Sequence, residues 1–136
     1  MILTKKDLQR IQELHRTIQR DKDQVYILHE LASGTGSQSF DNVRVQSTPS
    51  ASSGNRYAEA AADLDMRIKA EEEELEYLQM LVEKFIETLE DDAEIRIMQL
   101  RYLNCYTWLL ISRVTGYVIR HIYRIHDKAI ENMPEG

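Results

Sequence analysis

Helical periodicity is the feature that most constrains how this chain of 136 residues can fold. Between residues 55 and 90, apolar side chains return on a seven-residue repeat that Glu71 interrupts once. In a shorter segment, residues 8–31, they return at alternating three- and four-residue steps, with Asp21 where one more is expected. Both spacings place the apolar residues along one side of an α-helix. The repeating residues are Ala61, Leu64, Ile68, Leu75, Leu78, Val82, Phe85 and Leu89 in the longer segment, and Ile11, Leu14, Ile18, Val25 and Leu28 in the shorter one.

The two helices are expected to pack on each other. A helix over residues 55–90 is about 50 Å long and unstable as an isolated rod, so its apolar side must be covered. Residues 33–54 are rich in Ser and Gly and predict a mobile loop that lets the chain reverse. We therefore expect an all-α protein in which residues 1–92 form a long antiparallel, coiled-coil-like helical hairpin. Leu81 and Ile86 widen the apolar stripe, which indicates a further contact with the C-terminal module or another subunit.

The two polar interruptions have two interpretations. A polar residue inside a coiled-coil core, such as Asp21 or Glu71, can set the register and the oligomeric state. It can equally mark a hydrated edge. The acidic run that contains Glu71, residues 71–74, is not expected to bind a metal, because consecutive helical residues point about 100° apart.

The composition supports a helical protein without pointing to a membrane. Strong helix formers dominate, and Pro and Gly are scarce outside residues 33–54. Cys105 is the only cysteine, which excludes an intramolecular disulfide and suits a reducing compartment. No apolar run approaches the roughly 18 to 20 residues that cross a bilayer. We therefore expect a cytoplasmic protein without a membrane partner.

The net charge of −6 is unevenly distributed. Residues 59–94 contain fourteen acids and three bases, a net charge of −11. Residues 95–136 contain six bases and three acids, a net charge of +3. Only the C-terminal segment is therefore suited to face the phosphates of a nucleic acid.

The C-terminal segment predicts three short helices. Asp91 and Asp92 are suitable N-caps for the first, Thr107 can cap the second, and Gly116 can end it with a positive φ. The expected bounds are about 92–104, 107–115 and 118–132.

The spacing within this segment favours a helix-turn-helix. Ser112 is small where two crossing helices would touch, and Ile122 and Ile125 lie on the inner side of the third helix. The alternative is a plain three-helix bundle with the same isoleucine core. The outer side of the third helix favours the helix-turn-helix, because basic side chains gather where major-groove and phosphate contacts are made. They are Arg120, His121, Arg124 and Lys128.

The same segment, residues 93–136, resembles region 4 of sigma factors. The stretches that carry the resemblance are Leu100-Arg101-Tyr102-Leu103, Thr107-Trp108, Ile111-Ser112, Gly116-Tyr117 and residues 122–130. The chain is more similar still to prophage proteins of Gram-positive bacteria that are related to the RinA and ArpU late-gene regulators. In those proteins a helix, a serine-rich loop with a Val-Gln-Ser element (here Val45-Gln46-Ser47) and a long acidic helix precede the module. The resemblance implies control of phage transcription.

The resemblance also implies which side chains contact DNA. Ile119, Arg120 and Arg124 match the positions that read bases in region 4, and His121 and Lys128 match positions that meet phosphates. Arg120 and Arg124 lie one turn apart, so each suits a guanine edge. The alternative is that both arginines bind phosphate only.

Three positions depart from the region 4 pattern. Leu109 and Leu110 stand where acids usually follow the Thr-Trp pair, and Val118 replaces the usual Ser or Thr cap of the recognition helix. Loss of such a cap costs on the order of 1 kcal/mol. Two exposed leucines indicate either a surface for a protein partner or an aggregation liability.

Three functions follow from these patterns. The first is a sequence-specific regulator that binds double-stranded DNA, with the hairpin forming a homo-oligomer so that two recognition helices meet half-sites about one turn apart. The second is an interaction module that docks on RNA polymerase through Leu109, Leu110 and the acidic helix. The third is a DNA-packaging protein similar to small terminase subunits, which also join a helix-turn-helix to helical oligomerisation elements.

We expect neither enzymatic activity nor a bound cofactor. The sequence has no recognisable nucleophile–base pair, phosphate loop or convergent set of ligands. Cys105, His121 and His126 are not expected to bind zinc, because histidines five residues apart on a helix diverge and no fourth ligand is evident.

Overall fold

The structure, a computed structural model, describes residues 2–34 and 50–136, with the side chains of residues 2–34 and 55–136. This part of the chain is helical and contains no strand, which confirms the all-α class for the residues described. The helices are α1 (Lys5–Ser33), α2 (Ser50–Ile86), α3 (Asp92–Met98), α4 (Trp108–Thr115) and α5 (Ile119–Ile130), and a π-helical turn (Gln99–Leu103) continues α3. None of these helices combines the length and the apolarity that crossing a membrane requires.

The chain divides into two compact units. The first consists of residues 1–15 and 73–136, and the second of residues 16–72. Helices α1 and α2 each contribute to both units. The domain boundary expected between residues 92 and 93 lies inside the first unit and stays a prediction.

The predicted loop at about 33–54 lies mostly outside the described residues. At its far edge the structure differs from the prediction, since α2 begins at Ser50 rather than near Asn55. Serine costs a helix only about 0.5 kcal/mol and glycine about 1 kcal/mol relative to alanine. A helix of 37 residues can therefore extend through these few residues.

Helix α1 begins before its first periodic apolar residue because its N-terminus is capped twice. Asp7 Oδ2 accepts a hydrogen bond from the N–H of Thr4 at 3.0 Å, and Thr4 Oγ1 accepts one from the N–H of Asp7 at 3.2 Å. The N–H of Lys5 donates to the carbonyl of Pro134 at 2.8 Å. The C-terminal residues thus satisfy a helix donor that otherwise has no partner within α1.

The first unit buries apolar side chains from each of its helices. Fully buried side chains come from α1, α2, α3, α4 and α5, and they include Ile11, Leu14, Val82, Ile97, Met98, Ile111 and Ile122. Leu81 and Ile86, which widened the predicted stripe of α2, are also buried. In the C-terminal segment, Ile97, Ile111 and Ile122 form a cluster with one residue from each of α3, α4 and α5.

The second unit buries the polar interruption of α1. Asp21 is only 4% exposed, and its Oδ1 accepts one long hydrogen bond, from Arg67 Nη2 at 3.4 Å. Its Oδ2 is buried and accepts no hydrogen bond from the residues that the structure describes. Arg20 Nε also lies 4.0 Å from Oδ1, so both ion pairs of this carboxylate are long. A buried carboxylate with such weak partners costs more free energy than it returns. Among the described residues of this unit, the buried apolar ones are Ile18, Ala61, Leu64 and Ile68.

The π-helical turn (Gln99–Leu103) is held by two glutamine side chains. Gln12 Nε2 of α1 donates to the carbonyl of Arg101 at 3.0 Å, and Gln79 Nε2 of α2 donates to the carbonyl of Tyr102 at 2.9 Å. These bonds satisfy carbonyls that have no partner at the end of a helix. They also fix where the chain turns toward α4.

Candidate nucleic-acid interface

The link between α4 and α5 is short and conformationally fixed. Gly116 has a φ of +81°, and its N–H donates to the carbonyl of Ser112 at 2.8 Å. Ser112 Oγ donates to the carbonyl of Tyr117 at 2.6 Å. The positive φ predicted for Gly116 is confirmed. Ser112 holds the turn through its hydroxyl, a role that its small size did not suggest.

The two helices of this site begin differently. Thr107 Oγ1 accepts a hydrogen bond from the N–H of Leu110 at 3.2 Å, so α4 has the predicted cap. Val118 precedes α5 in an extended conformation and makes no side-chain cap bond. Helix α5 therefore lacks the stabilisation that Ser or Thr gives at this position.

The basic side of α5 is open to solvent. Arg120, Arg124 and Lys128 are exposed, whereas Ile119 and His121 are half-buried. Among the described residues, no acid lies within ion-pair distance of Arg120, Arg124 or Lys128. These three charges are therefore available to an external anion.

Two further exposed residues share this side of α5 by helical spacing. Tyr123 is 44% exposed, and the carboxylate of Asp127 is exposed as well. Neither was among the predicted contacts. The sequence could have indicated both, because they follow Arg120 and Arg124 by three residues and helical spacing puts such residues on the same side.

A cleft of about 250 Å³ lies beside the basic side of α5. Helix α5 contributes His121, Arg124 and Lys128 to its lining, and Asp91 and Glu94 contribute two carboxylates from the start of α3. These acids lower the positive potential that a phosphate would meet here. The interface is therefore weaker electrostatically than its bases alone indicate.

Trp108 supports α5 from within the module. Its ring lies edge-on to Tyr123, with centroids 5.2 Å apart, and edge-on to His126 at 5.0 Å. Arg101 Cζ lies 4.2 Å from the centroid of the Trp108 ring, within cation–π range. Burial lowers the pKa of Arg101, which nevertheless stays charged at neutral pH. One residue of α4 thus connects the π-helical turn to α5.

A buried hydrogen bond between Tyr102 and His126 also anchors α5. Tyr102 Oη and His126 Nε2 are 2.7 Å apart, and His126 Nδ1 lies 3.2 Å from Asp127 Oδ1. Because a carboxylate only accepts, Nδ1 carries the proton, and Nε2 of the neutral ring accepts from the Tyr102 hydroxyl. Burial lowers the pKa of His126 and raises the pKa of Tyr102 to about 12, so both groups are neutral near pH 7.

This hydrogen bond was missed by sequence reasoning. Tyr102 and His126 are 24 residues apart, so no local pattern relates them. The one available signal was the position of His126, one turn after Ile122 on the inner side of α5. The structure brings no three His, Cys, Asp or Glu side chains together as a metal site within the described residues.

The outer side of α4 exposes apolar residues beside this interface. Leu109 is 54% exposed, Leu110 is 40% exposed and Val114 is 45% exposed. Arg113, also exposed, lies between them. We call these four residues the outer face of α4. The two leucines predicted to contact a partner are therefore accessible.

Comparisons with protein-family models, with curated proteins and with solved structures find no match in any of the three. The resemblance to sigma-factor region 4 and to prophage regulators therefore stays a prediction.

Proposed function

We propose that this protein is a regulator that binds double-stranded DNA through a helix-turn-helix formed by α4 and α5, with α5 as the recognition helix. The observation that carries the proposal is the exposed row Arg120, Arg124 and Lys128, which has no ion-pair partner among the described residues. A short glycine turn and a shared isoleucine core support the same assignment.

Each side chain of α5 has a distinct role in this proposal. Arg120 and Arg124 address guanine edges in the major groove, since a guanidinium pairs with O6 and N7 of guanine. His121 and Lys128 meet phosphates and fix the position of the helix on the duplex. Ile119, at the start of α5, supplies an apolar contact suited to a thymine methyl group.

Residues 1–92 form an antiparallel helical hairpin in this proposal, and the hairpin brings two copies together. Side chains of α1 and α2 pair within each unit, Arg10 with Glu74 at 2.8 Å and Lys22 with Glu72 at 3.1 Å, which supports adjacent helices. A dimer would present two α5 helices to half-sites about one turn of DNA apart. The prophage resemblance adds phage transcription in the cytoplasm as the setting.

The test is a titration of the purified full chain against a duplex from its own upstream region at two salt concentrations. The variant Arg120→Ala/Arg124→Ala is expected to bind at least about 30-fold more weakly, because each base contact contributes roughly 1–3 kcal/mol. A matched control, Arg56→Ala/Lys69→Ala, removes two exposed bases of α2 and is expected to bind as the wild type does. A folded wild-type chain that ignores duplex DNA at low salt contradicts the proposal.

A second candidate function is docking on RNA polymerase through the outer face of α4. The exposure of Leu109 and Leu110, 54% and 40%, favours it, because exposed leucines on a short helix suit an apolar partner. Capture of purified polymerase without DNA, lost in Leu109→Ser/Leu110→Ser, would support this function. Capture that the double variant leaves unchanged would contradict it.

A further inference from the structure

One side of α2 combines acidic and apolar residues that are open to solvent. Tyr77 and Met80 are each 41% exposed. Helical spacing places three exposed glutamates, Glu73, Glu76 and Glu83, on the same side together with one base, Lys84, and the exposed Glu87 follows in the turn after the helix. The acidic face of α2 consists of Glu73, Glu76, Tyr77, Met80, Glu83 and Lys84, together with Glu87 in the turn that follows the helix.

The glutamates of this face have no ion-pair partner among the described residues. The neighbouring Glu74 differs, because it points to another side of α2 and binds Arg10 at 2.8 Å. The acidic face of α2 is therefore charged and is left exposed by the part of the chain that the structure describes, and it carries two large apolar side chains, Tyr77 and Met80.

The outer face of α4 has the complementary chemistry. It presents Leu109, Leu110 and Val114 around Arg113, which likewise has no ion-pair partner in the described part of the chain. An aromatic ring and a thioether pack well against aliphatic side chains, and methionine adapts to irregular apolar surfaces. A single guanidinium facing several carboxylates supplies the matching charge.

We infer that the outer face of α4 of one copy binds the acidic face of α2 of a second copy. Both faces are exposed in the folded chain, so they do not cover each other within one copy. Because two different faces meet, the contact is head-to-tail, and repeated contacts close into a ring or continue as an open assembly. This inference does not depend on DNA binding.

The size of the faces sets the expected strength. One short helix on one side of another is smaller than the roughly 800 Å² per partner of a standard interface. We therefore expect weak association that rises with protein concentration. It should also weaken at high salt, because its charges lie at the surface.

The experiment is sedimentation velocity of the full chain over a broad concentration series at low and high salt, with two charge-reversal variants. Arg113→Glu reverses the outer face of α4, and Glu76→Lys/Glu83→Lys reverses the acidic face of α2. Beyond any dimer formed by the hairpin, each variant alone is expected to associate at least about tenfold more weakly, since like charges then meet. A control, Glu59→Lys/Asp65→Lys, reverses two exposed acids of α2 outside the face and is expected to associate as the wild type does.

Mixing the two reversed variants gives the decisive result. When the two variants alternate in the mixture, the carboxylate introduced by Arg113→Glu meets the lysines introduced into the acidic face of α2. The unchanged Arg113 of the other variant meets unchanged glutamates, so every head-to-tail contact is attractive again. We expect the mixture to regain wild-type association. All substitutions are at exposed positions, and circular dichroism verifies that each variant is folded.

Three results would overturn the inference. The first is a wild-type chain that stays monomeric, or does not associate beyond the hairpin dimer, over the whole series. The second is association beyond the hairpin dimer, to the same extent as in the wild type, by either variant alone, which would assign this contact to another surface. The third is a mixture that fails to regain association. Binding of RNA polymerase by a strictly monomeric chain would assign the outer face of α4 to that partner instead.

Discussion

Replacing Tyr102 with Phe removes one hydroxyl group and leaves His126 Nε2 buried without its donor. The two residues are only 5% and 8% exposed, so water does not readily replace the lost bond. Leaving one buried polar atom unsatisfied costs roughly 1–3 kcal/mol. At on the order of 4 °C per kcal/mol for a chain of this size, the melting temperature should fall by about 4–12 °C.

Thermal and urea unfolding followed by circular dichroism measure this loss. The measurements belong near pH 8, where His126 is neutral in the folded and unfolded states. The matched control is Tyr123→Phe, which removes a hydroxyl from a side chain that is 44% exposed. We expect the control to change the free energy of unfolding by less than about 0.5 kcal/mol. Equal losses in the two variants would refute the role given to the buried bond.

The same pair makes stability depend on pH in a defined direction. Burial holds the pKa of His126 in the folded chain below its ordinary value of 6.5, with the charge of Arg101 acting in the same sense and Asp127 opposing it. The contribution of the neutral His126 ring to the free energy of unfolding is therefore fully present above pH 6.5, and it is lost as the pH falls through the folded-state pKa of His126. The stability difference between the wild type and His126→Phe should shrink below pH 6.5. A difference that grows on acidification would refute the assignment.

Three further changes test other parts of the structure. Gly116→Ala should lower the free energy of unfolding by about 1 kcal/mol, because the added Cβ meets no atom within 4 Å and the cost comes only from the positive φ of +81°. Thermal unfolding measures this, Gly116→Asn should cost less, and an alanine variant as stable as the wild type would show that the turn can relax. Asp21→Leu should raise the free energy of unfolding by about 1–3 kcal/mol, because it removes a poorly paired buried carboxylate. Urea unfolding measures the change, and a lower free energy of unfolding would contradict the prediction. Glu94→Gln should strengthen DNA binding about 2–5-fold at low salt, because it makes the electrostatic potential of the cleft beside α5 more positive. An unchanged affinity at low salt would show that the Glu94 carboxylate does not influence the DNA contact.

The caps of the short helices were predictable because they depend on neighbouring residues only. Asp91 Oδ1 accepts from the N–H groups of Ala93 and Glu94 at 2.8 and 3.2 Å. Thr107 caps α4 and Gly116 ends it, also as predicted. Each of these features follows from the conformational preference of one residue at a helix end.

The end of α2 was placed less well. The periodicity extends to Leu89, whereas the helix ends at Ile86. Thr88 Oγ1 donates to the carbonyl of Phe85 at 2.6 Å, and such a local bond competes with continued helix. Leu89 is half-buried although it follows the helix. Its apolar side chain therefore indicates that it packs against the protein, not that it belongs to the helix.

The π-helical turn and the Tyr102–His126 bond were beyond sequence reasoning for a different reason. Both depend on residues distant in the chain: Gln12 and Gln79 hold the turn, and α5 supplies His126. The open basic side of α5, by contrast, follows from helical spacing once the inner isoleucines are assigned. Its ligand does not follow from spacing, and DNA remains a proposal.

Amide chemical-shift mapping tests the central proposal most directly. The isotope-labelled full chain is titrated with the duplex from its upstream region, and the shift of each backbone amide is recorded. We expect the largest changes in residues 118–128, smaller ones at the start of α4, and little change in residues 16–34 and 55–72. Shift changes confined to α1 and α2, or none along α5 at saturating duplex, would contradict the assignment of α5 as the recognition helix.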